Sequence, residues 1–357
     1  IYKEEKMNQP NHLIEPNQPN QLTQPKICLN CILPANFPGV TFNSKGICNY
    51  CQNFNGYEAL RNQKEHYGKE FLNLIEKYKG RSEYDCLMCY SGGKDSTYTL
   101  DILKNRFGLS ILAVTFDNGF ISPTAIDNVK RVVEKLSVDH LIFKVQFDLL
   151  KKIFSMAATT ELYPRKTLER ASTICTSCIS FVKFIALKIA LEKEIPFIGY
   201  GWSPGQAPIQ SSVMKTNPSL IRMTQKVVYE PLYKIAGDAI RPYFLEERHF
   251  NTDKEFPYNI HPLAFLDYSE EKIYTRMGEL GWKRPEDTDP NSSNCLLNAF
   301  ANQVHEKSYG YNPYVFEISK MVREGVLTRQ DGLRKFSEES SSVQIDIVKK
   351  RLGSSKI

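Results

Sequence analysis

The sequence lacks a long uninterrupted apolar run, a secretory leader pattern, a strong excess of one charge and any internal repeat beyond two cysteine pairs near its start. The missing run predicts that no segment spans a bilayer, and the missing leader argues against export. The formal charge of +6 is mild and spread along the chain. It favours anionic small substrates without demanding nucleic acid. No basic stretch is interleaved with aromatics, so RNA is disfavoured as the main substrate. What is present is ordinary for a globular protein: 357 residues, 41% of them apolar and 24% charged. That length can bury a full core and fits one large domain with appendages.

Eight of the nine cysteines fall in four C-x-x-C pairs: Cys28/Cys31, Cys48/Cys51, Cys86/Cys89 and Cys175/Cys178; Cys295 stands alone. An odd count in short pairs reads as metal or redox chemistry in a reducing compartment, and hence as a cytoplasmic protein. The first two pairs are separated by a stretch holding Pro34, Pro38, Gly39 and Gly46. Two such knuckles can place four thiolates around Zn²⁺, whose binding then supplies folding energy to a module with little core. Cys86 and Cys89 lie in an expected strand, where i and i+3 face opposite ways, so both read as core.

The densest chemical signal is Tyr84–Tyr90 followed by Ser91-Gly92-Gly93-Lys94-Asp95-Ser96. An apolar strand runs into two glycines, a lysine, small hydroxyls and then helix-compatible sequence. Glycines let a backbone approach an anion, and the free N–H groups of a helix start point at it. Lys94 adds a mobile positive charge. The spacing differs from G-x-x-x-x-G-K-[ST]. It resembles the S-G-G-K-D-S loop of the PP-loop ATP pyrophosphatases, and that resemblance implies that ATP is split into AMP and pyrophosphate. It further implies ATP contacts from Ser91, Gly92, Gly93, Lys94, Asp95 and Ser96, with Lys94, Asp95 and Ser96 catalytic, and Mg²⁺ on the phosphates.

Beyond the loop the chain alternates in the βαβ manner, which predicts a parallel α/β sheet. Strands are expected at Ile111–Phe116, His140–Val145 and Pro196–Tyr200. Helices are expected near Ser96–Arg106, after Ser122-Pro123, near Leu149–Glu161 and near Phe181–Glu194. Residues 1–26, rich in Asn, Gln and Pro, read as a flexible tail. Residues 27–54 form the cysteine module, 55–80 a helical linker, 81–256 the loop-bearing domain and 257–357 a mostly helical region in which Ser269 caps a helix. Asp117, at the end of the second strand, is a candidate for ribose or Mg²⁺ and equally a turn residue. The turn-rich run through Tyr200, Gly201, Trp202 and Gln206 is the candidate acceptor site, with an aromatic to stack on a sugar or base. Arg165, Lys166 and Arg170 suit phosphate groups or simply a solvated face.

Three further stretches sharpen the resemblance. Cys28–Pro34, Phe37–Phe42 and Gly46–Cys51 look like the opening of the N-acetyl sugar amidotransferases of lipopolysaccharide and surface-sugar biosynthesis. The likeness continues in His261–Glu271, Gly281-Trp282 and Leu327-Thr328-Arg329. It implies a PP-loop, adenine nucleotide alpha hydrolase-like (HUP) fold and conversion of a sugar acetamido group to an acetamidino group. The acceptor would be an N-acetylated sugar nucleotide, the ammonia source a glutaminase partner; a homo-oligomer stays open. One feature departs from that pattern: Cys175 and Cys178 at a helix start, with the distant Cys295. This trio resembles that of the tRNA-thiolating PP-loop enzymes, in which three cysteines hold a [4Fe-4S] cluster. Sulfur transfer is therefore the alternative to nitrogen transfer, with a redox pair or plain packing as further readings of the trio.

Overall fold

Short apolar runs that each end in turn residues pair side by side into one six-stranded sheet. A computed structural model describes residues 26–338 and 340–353. The tail expected at 1–26 lies, apart from Lys26, outside the described residues. The strands are β1 (Cys86–Cys89), β2 (Ile111–Asp117), β3 (Asp139–Lys144), β4 (Phe197–Tyr200), β5 (Val213–Lys215) and β6 (Tyr258–Ile260). Their order is β3-β2-β1-β4-β6-β5, and every pairing is parallel except β5 with β6. Cys86 pairs in register with Ile111 on one side and Phe197 on the other. The path from β1 runs outward to β3, then returns to place β4 on β1's other flank. The crevice beyond the carboxyl ends of β1 and β4 is therefore a topological switch point, where open α/β sheets bind ligands.

The helices used below are α1 (Gly56–Tyr78), α2 (Lys94–Asp101), α3 (Pro123–Leu136), α4 (Phe147–Ala157), α5 (Thr173–Glu192), α6 (Pro218–Ala236), α7 (Glu270–Glu279), α8 (Leu297–Tyr309), α9 (Val315–Arg323), α10 (Arg329–Ser337) and α11 (Ser342–Leu352). Helix α2 runs on through a π-helical turn at Ile102–Arg106, close to the expected end. Ser122 caps α3 by accepting from the Ala125 amide, with Pro123 in the first turn. Ser269 does the same for α7 through Lys272. Each cap satisfies a donor that the helix start leaves free.

Strand alternation divides the core in two. Leu87, Leu112, Val114 and Ile198 face a cluster with residues of α4, α5, α8 and α11. Cys86, Met88, Ile111, Ala113 and Phe197 face the other way, toward α1, α3 and α7. Cys86 and Cys89 thus point to opposite layers, as a spacing of three in a strand requires.

Two expectations need correction. The sheet does not end at Tyr200: β5 and β6 add three residues each, and β6 pairs with β4 although it lies after Pro257. Strands so short carry too little alternation to be read from sequence. The expectation that no apolar stretch is long enough to span a bilayer also fails. By length and composition, α5 qualifies, with 20 residues and a mean hydropathy of 1.9 in its richest window. Lys183 and Lys188 interrupt the run without lowering the average enough. In the fold α5 is a central core helix, with 61% of that window buried.

Candidate functional site

The S-G-G-K-D-S segment connects β1 to α2 at the switch point. Gly92 has φ +77°, and a Cβ there would meet the Ala125 carbonyl at 2.7 Å, so a side chain is barred both by conformation and by space. Trp282 Nε1 donates to the Gly92 carbonyl at 2.8 Å and fixes the turn from outside. Ser91 Oγ and Ser96 Oγ lie 3.0 Å apart, and Ser96 and Thr97 hydroxyls donate to the Gly93 carbonyl at 3.0 Å and 2.8 Å. From β4's end Gly201 presses on the helix start: a Cβ would lie 2.2 Å from Ser96 Cα. The amide of Lys94 finds Ser293 Oγ at 3.0 Å.

Lys94 is buried, and its ammonium meets Tyr268 Oη at 2.7 Å and Glu270 Oε1 at 2.8 Å. Tyr268 in turn donates to Asp95 Oδ1 at 2.9 Å, and Lys335 reaches Glu270 at 3.2 Å. Burial works against the Lys94 charge, but Asp95 and Glu270 together outweigh it and hold the pKa above the ordinary lysine value. Glu270, for its part, is penalised by burial yet kept low by Lys94 and Lys335. Tyr268 and Glu270 belong to the His261–Glu271 stretch, so that sequence signature delivers the partners of the loop lysine.

Beside the loop opens a cavity of about 630 Å³. Ser91, Asn118, Cys175, Trp202, Cys295 and Glu317 are among its walls, which come from the ends of β1 and β2, the start of α5, the loop after β4, the 292–298 segment and α9. Cys295 returns to this place because residues 120–122 pair with 294–296: Ser122 N donates to Asn294 O at 2.9 Å and Leu296 N to Phe120 O at 2.8 Å. Asn118 Nδ2 then contacts Cys178 Sγ at 3.4 Å and Cys295 Sγ at 3.6 Å. Those two sulfurs can be no farther apart than the two distances laid end to end. Cys175 lines the same wall and receives Asn298 Nδ2 at 3.9 Å. Burial raises all three thiols, Cys175 to about 12, which keeps them protonated in the absence of a cation. The trio is more open than a set gripping one ion. A cluster spreads its irons over a cube, so its thiolates stand farther apart than those around a single metal.

The other sequence candidates divide. Trp202 and Gln206 line the cavity, whereas Tyr200 and Gly201 do not: Tyr200 is buried in the core beneath, and Gly201 is spent on the contact with Ser96. Trp202 stacks on His261, with centroids 4.3 Å apart and planes at 8°, which occupies one of its faces. Burial lowers His261 to about 3, so the ring is neutral. Asp117 closes an Asx turn onto the Gly119 amide at 2.8 Å and pairs with Lys144 at 3.4 Å, outside the cavity wall. Its neighbour Asn118 points inward instead. Arg165 and Lys166 pair with Glu161 and Glu169 at the surface; Arg170 alone of the three reaches the cavity. Asn118, Tyr268, Glu270, Ser293 and Glu317 were not singled out from sequence. Only Tyr268 and Glu270 carried a signal, inside a motif quoted for other reasons.

The four remaining sulfurs form a separate site. The Sγ atoms of Cys28, Cys31, Cys48 and Cys51 all lie within 4.8 Å of one another, with Cys28–Cys51 at 3.9 Å and Cys31–Cys48 at 3.8 Å. Tetrahedral thiolates about 2.3 Å from a Zn²⁺ ion stand about 3.8 Å apart, so the residues fit such an ion. Amides of Leu33 and Cys48 donate to Cys31 and Cys28 sulfurs at 3.4 Å and 3.3 Å, as suits thiolates. Hydrogen bonds with Cys48 and Cys51 beside it push the Cys31 thiol far up. The module borrows its core from the other end of the chain: Phe37 stacks on Phe316 at 5.2 Å and meets Tyr311 edge-on at 5.0 Å. Arg329, at the start of α10, donates to the carbonyls of Cys31 and Cys28 at 3.0 Å and 3.2 Å. This is a metal-binding site whose four positions are all protein ligands.

Comparison with known proteins places the loop-bearing part. Residues 85–192 match the family model of the queuosine biosynthesis protein QueC. An uncharacterized protein of Methanocaldococcus jannaschii is 24% identical over 300 residues, covering 82% of this chain and 85% of its own. Among solved structures, the U34-tRNA thiolase NcsA of Methanococcus maripaludis with its [4Fe-4S] cluster aligns with a TM-score of 0.35 at 15% identity, over 89% of this chain and 90% of its own. The NH3-dependent NAD synthetase of Campylobacter jejuni aligns with a TM-score of 0.35 at 11% identity, over 84% and 94%. Scores this low transfer no site. The match over residues 85–192 spans the loop and strands β1 to β3 that bring it to the switch point, so the loop-bearing part of this chain is similar to that family.

Proposed function

We propose that this protein is an ATP-dependent amidotransferase acting on the acetamido group of an N-acetylated sugar nucleotide in surface-polysaccharide biosynthesis, in the cytoplasm. The observation that carries the ATP half is the S-G-G-K-D-S loop at the switch point, opening onto the 630 Å³ cavity. The acceptor half rests on the resemblance of Cys28–Cys51, His261–Glu271 and Leu327–Arg329 to the sugar amidotransferases. In this reading the amide oxygen attacks the α-phosphorus of ATP and pyrophosphate leaves. Lys94 and the Gly92–Gly93 backbone stabilise the departing charge. Mg²⁺ on the phosphates would add to that stabilisation and orient them. The carbon, now bearing AMP in place of a poor leaving group, takes ammonia from a glutaminase partner and expels AMP. Trp202 offers its free face to the acceptor, while Zn²⁺ in the Cys28/Cys31/Cys48/Cys51 site serves structure.

The Asn118 bridge between Cys178 and Cys295 supports a second reading, ATP-dependent sulfur transfer to tRNA or a small molecule through a [4Fe-4S] cluster on Cys175, Cys178 and Cys295. The two readings separate in one experiment. Anaerobically purified protein is analysed for zinc, iron and sulfide, then given ATP, ammonium and a UDP-linked N-acetylhexosamine. Zinc without iron, together with an amidine product, supports nitrogen transfer; iron and sulfide without amidine support sulfur transfer.

A further inference from the structure

Glu317 is a carboxyl on the cavity wall to which the adenylation step assigns no task. It projects from α9, the helix that also braces the cysteine module. Ser203 Oγ donates to its Oε1 at 2.5 Å. The loop after β4 sits directly on the residue: a Cβ on Gly205 would meet the Glu317 carbonyl oxygen at 2.5 Å and its Cγ at 2.6 Å. The side chain is thus held by the loop after β4 while remaining part of the wall. The charged groups facing it are Lys94 and Asp95 from the loop and Lys335 from α10, with the phenols of Tyr268 and Tyr314 nearby.

Amidine formation has a proton to dispose of. When ammonia adds to the adenylated carbon, a C–N bond forms and the nitrogen becomes positively charged. One proton must leave before the C–O bond to AMP breaks without simply expelling ammonia again. AMP departs as an anion and needs no acid. We propose that Glu317 is the general base that takes this proton from the incoming nitrogen, passing it afterwards to water. The proposal rests on the amidotransfer reading, because the proton it handles is the one that incoming ammonia brings. Burial raises the Glu317 carboxyl to about 7, against the opposing hydrogen bond from Ser203, which poises it between acid and base at neutral pH.

The test uses full-length protein, ATP, Mg²⁺, ammonium chloride and a UDP-linked N-acetylhexosamine, with Glu317→Gln and Glu317→Asp. Pyrophosphate is followed in a single turnover and amidine by mass spectrometry. The expected result is that E317Q releases the first pyrophosphate near the wild-type rate but forms amidine about a hundredfold more slowly. Hydroxylamine, whose adduct sheds its proton more readily, should recover much of that loss. E317D should retain part of the activity and move the acid limb of the rate profile, which keeps the proposal testable if E317Q folds poorly. An unchanged ammonia-dependent rate and pH profile in both variants, with wild type active, would overturn the role of Glu317 alone. A wild-type enzyme that makes no amidine from such an acceptor would overturn the amidotransfer reading and this proposal with it.

Discussion

The ammonium of Lys94 lies 2.8 Å from Glu270 Oε1, although 176 residues separate them in the chain. The cation at the loop therefore has a carboxylate partner, shared with Lys335. In the proposed reading, incoming phosphates compete with Glu270 for that cation. Replacing Glu270 by Gln should tighten ATP binding about threefold, the size of a partly exposed ion pair. Calorimetric titration with ATP and Mg²⁺ checks this; weaker binding would mean that the carboxylate acts with the nucleotide.

Lys94→Ala should leave the fold intact and lower pyrophosphate release about a hundredfold, the cost of losing one preorganised charge at a departing anion. Wild-type turnover in the variant would remove the loop from the chemistry.

Gly201 touches Ser96 so closely that a methyl group would stand 2.2 Å from its Cα. Gly201→Ala should destabilise the protein by about 2 kcal/mol or more through overpacking, and should displace the loop. Thermal unfolding together with ATP affinity reads both effects. A variant with unchanged melting temperature would show that β4 and the loop are not in such contact.

Cys48→Ser should release one equivalent of metal and expose residues 27–54 to protease, because the site supplies the module's folding energy. Since Arg329 holds the carbonyls of Cys28 and Cys31, hydrogen exchange should also rise in α10. Unchanged zinc content would show that the four sulfurs bind no metal.

The raised carboxyl of Glu317 has a stability consequence with a definite sign. A group whose folded pKa exceeds its unfolded value stabilises the fold below the ordinary carboxylate range. It loses that contribution as pH rises through about 7. Wild type should therefore lose on the order of 2 kcal/mol relative to E317Q between about pH 5 and 8. Parallel denaturant midpoints for the two proteins across that range would contradict the burial of this carboxyl.

Much of this molecule is readable in its sequence because the relevant contacts are local. The strand–loop–helix unit at 86–101 is specified by neighbouring residues, and Ser122 and Ser269 announce the helices they cap. The Cys28–Cys51 spacing likewise places four sulfurs around one point. What stays hidden depends on distant pairing. Nothing near Asn118 says that its amide, rather than the Asp117 carboxylate, turns inward to the cysteines. The face of Trp202 covered by His261 belongs to a segment far along the chain. The cysteine module reads as nearly coreless because its core residues, Tyr311, Val315 and Phe316, lie at the opposite end of the sequence.

The central claim is that ATP is cut between its α- and β-phosphates at the loop around Lys94. Purified full-length protein incubated with ATP, Mg²⁺, ammonium and a UDP-linked N-acetylhexosamine can be assayed for every nucleotide and phosphate product. AMP and pyrophosphate should appear in equal amounts, dependent on acceptor and nearly absent in Lys94→Ala. Formation of ADP and inorganic phosphate instead, or acceptor-dependent turnover that survives Lys94→Ala, would contradict that claim.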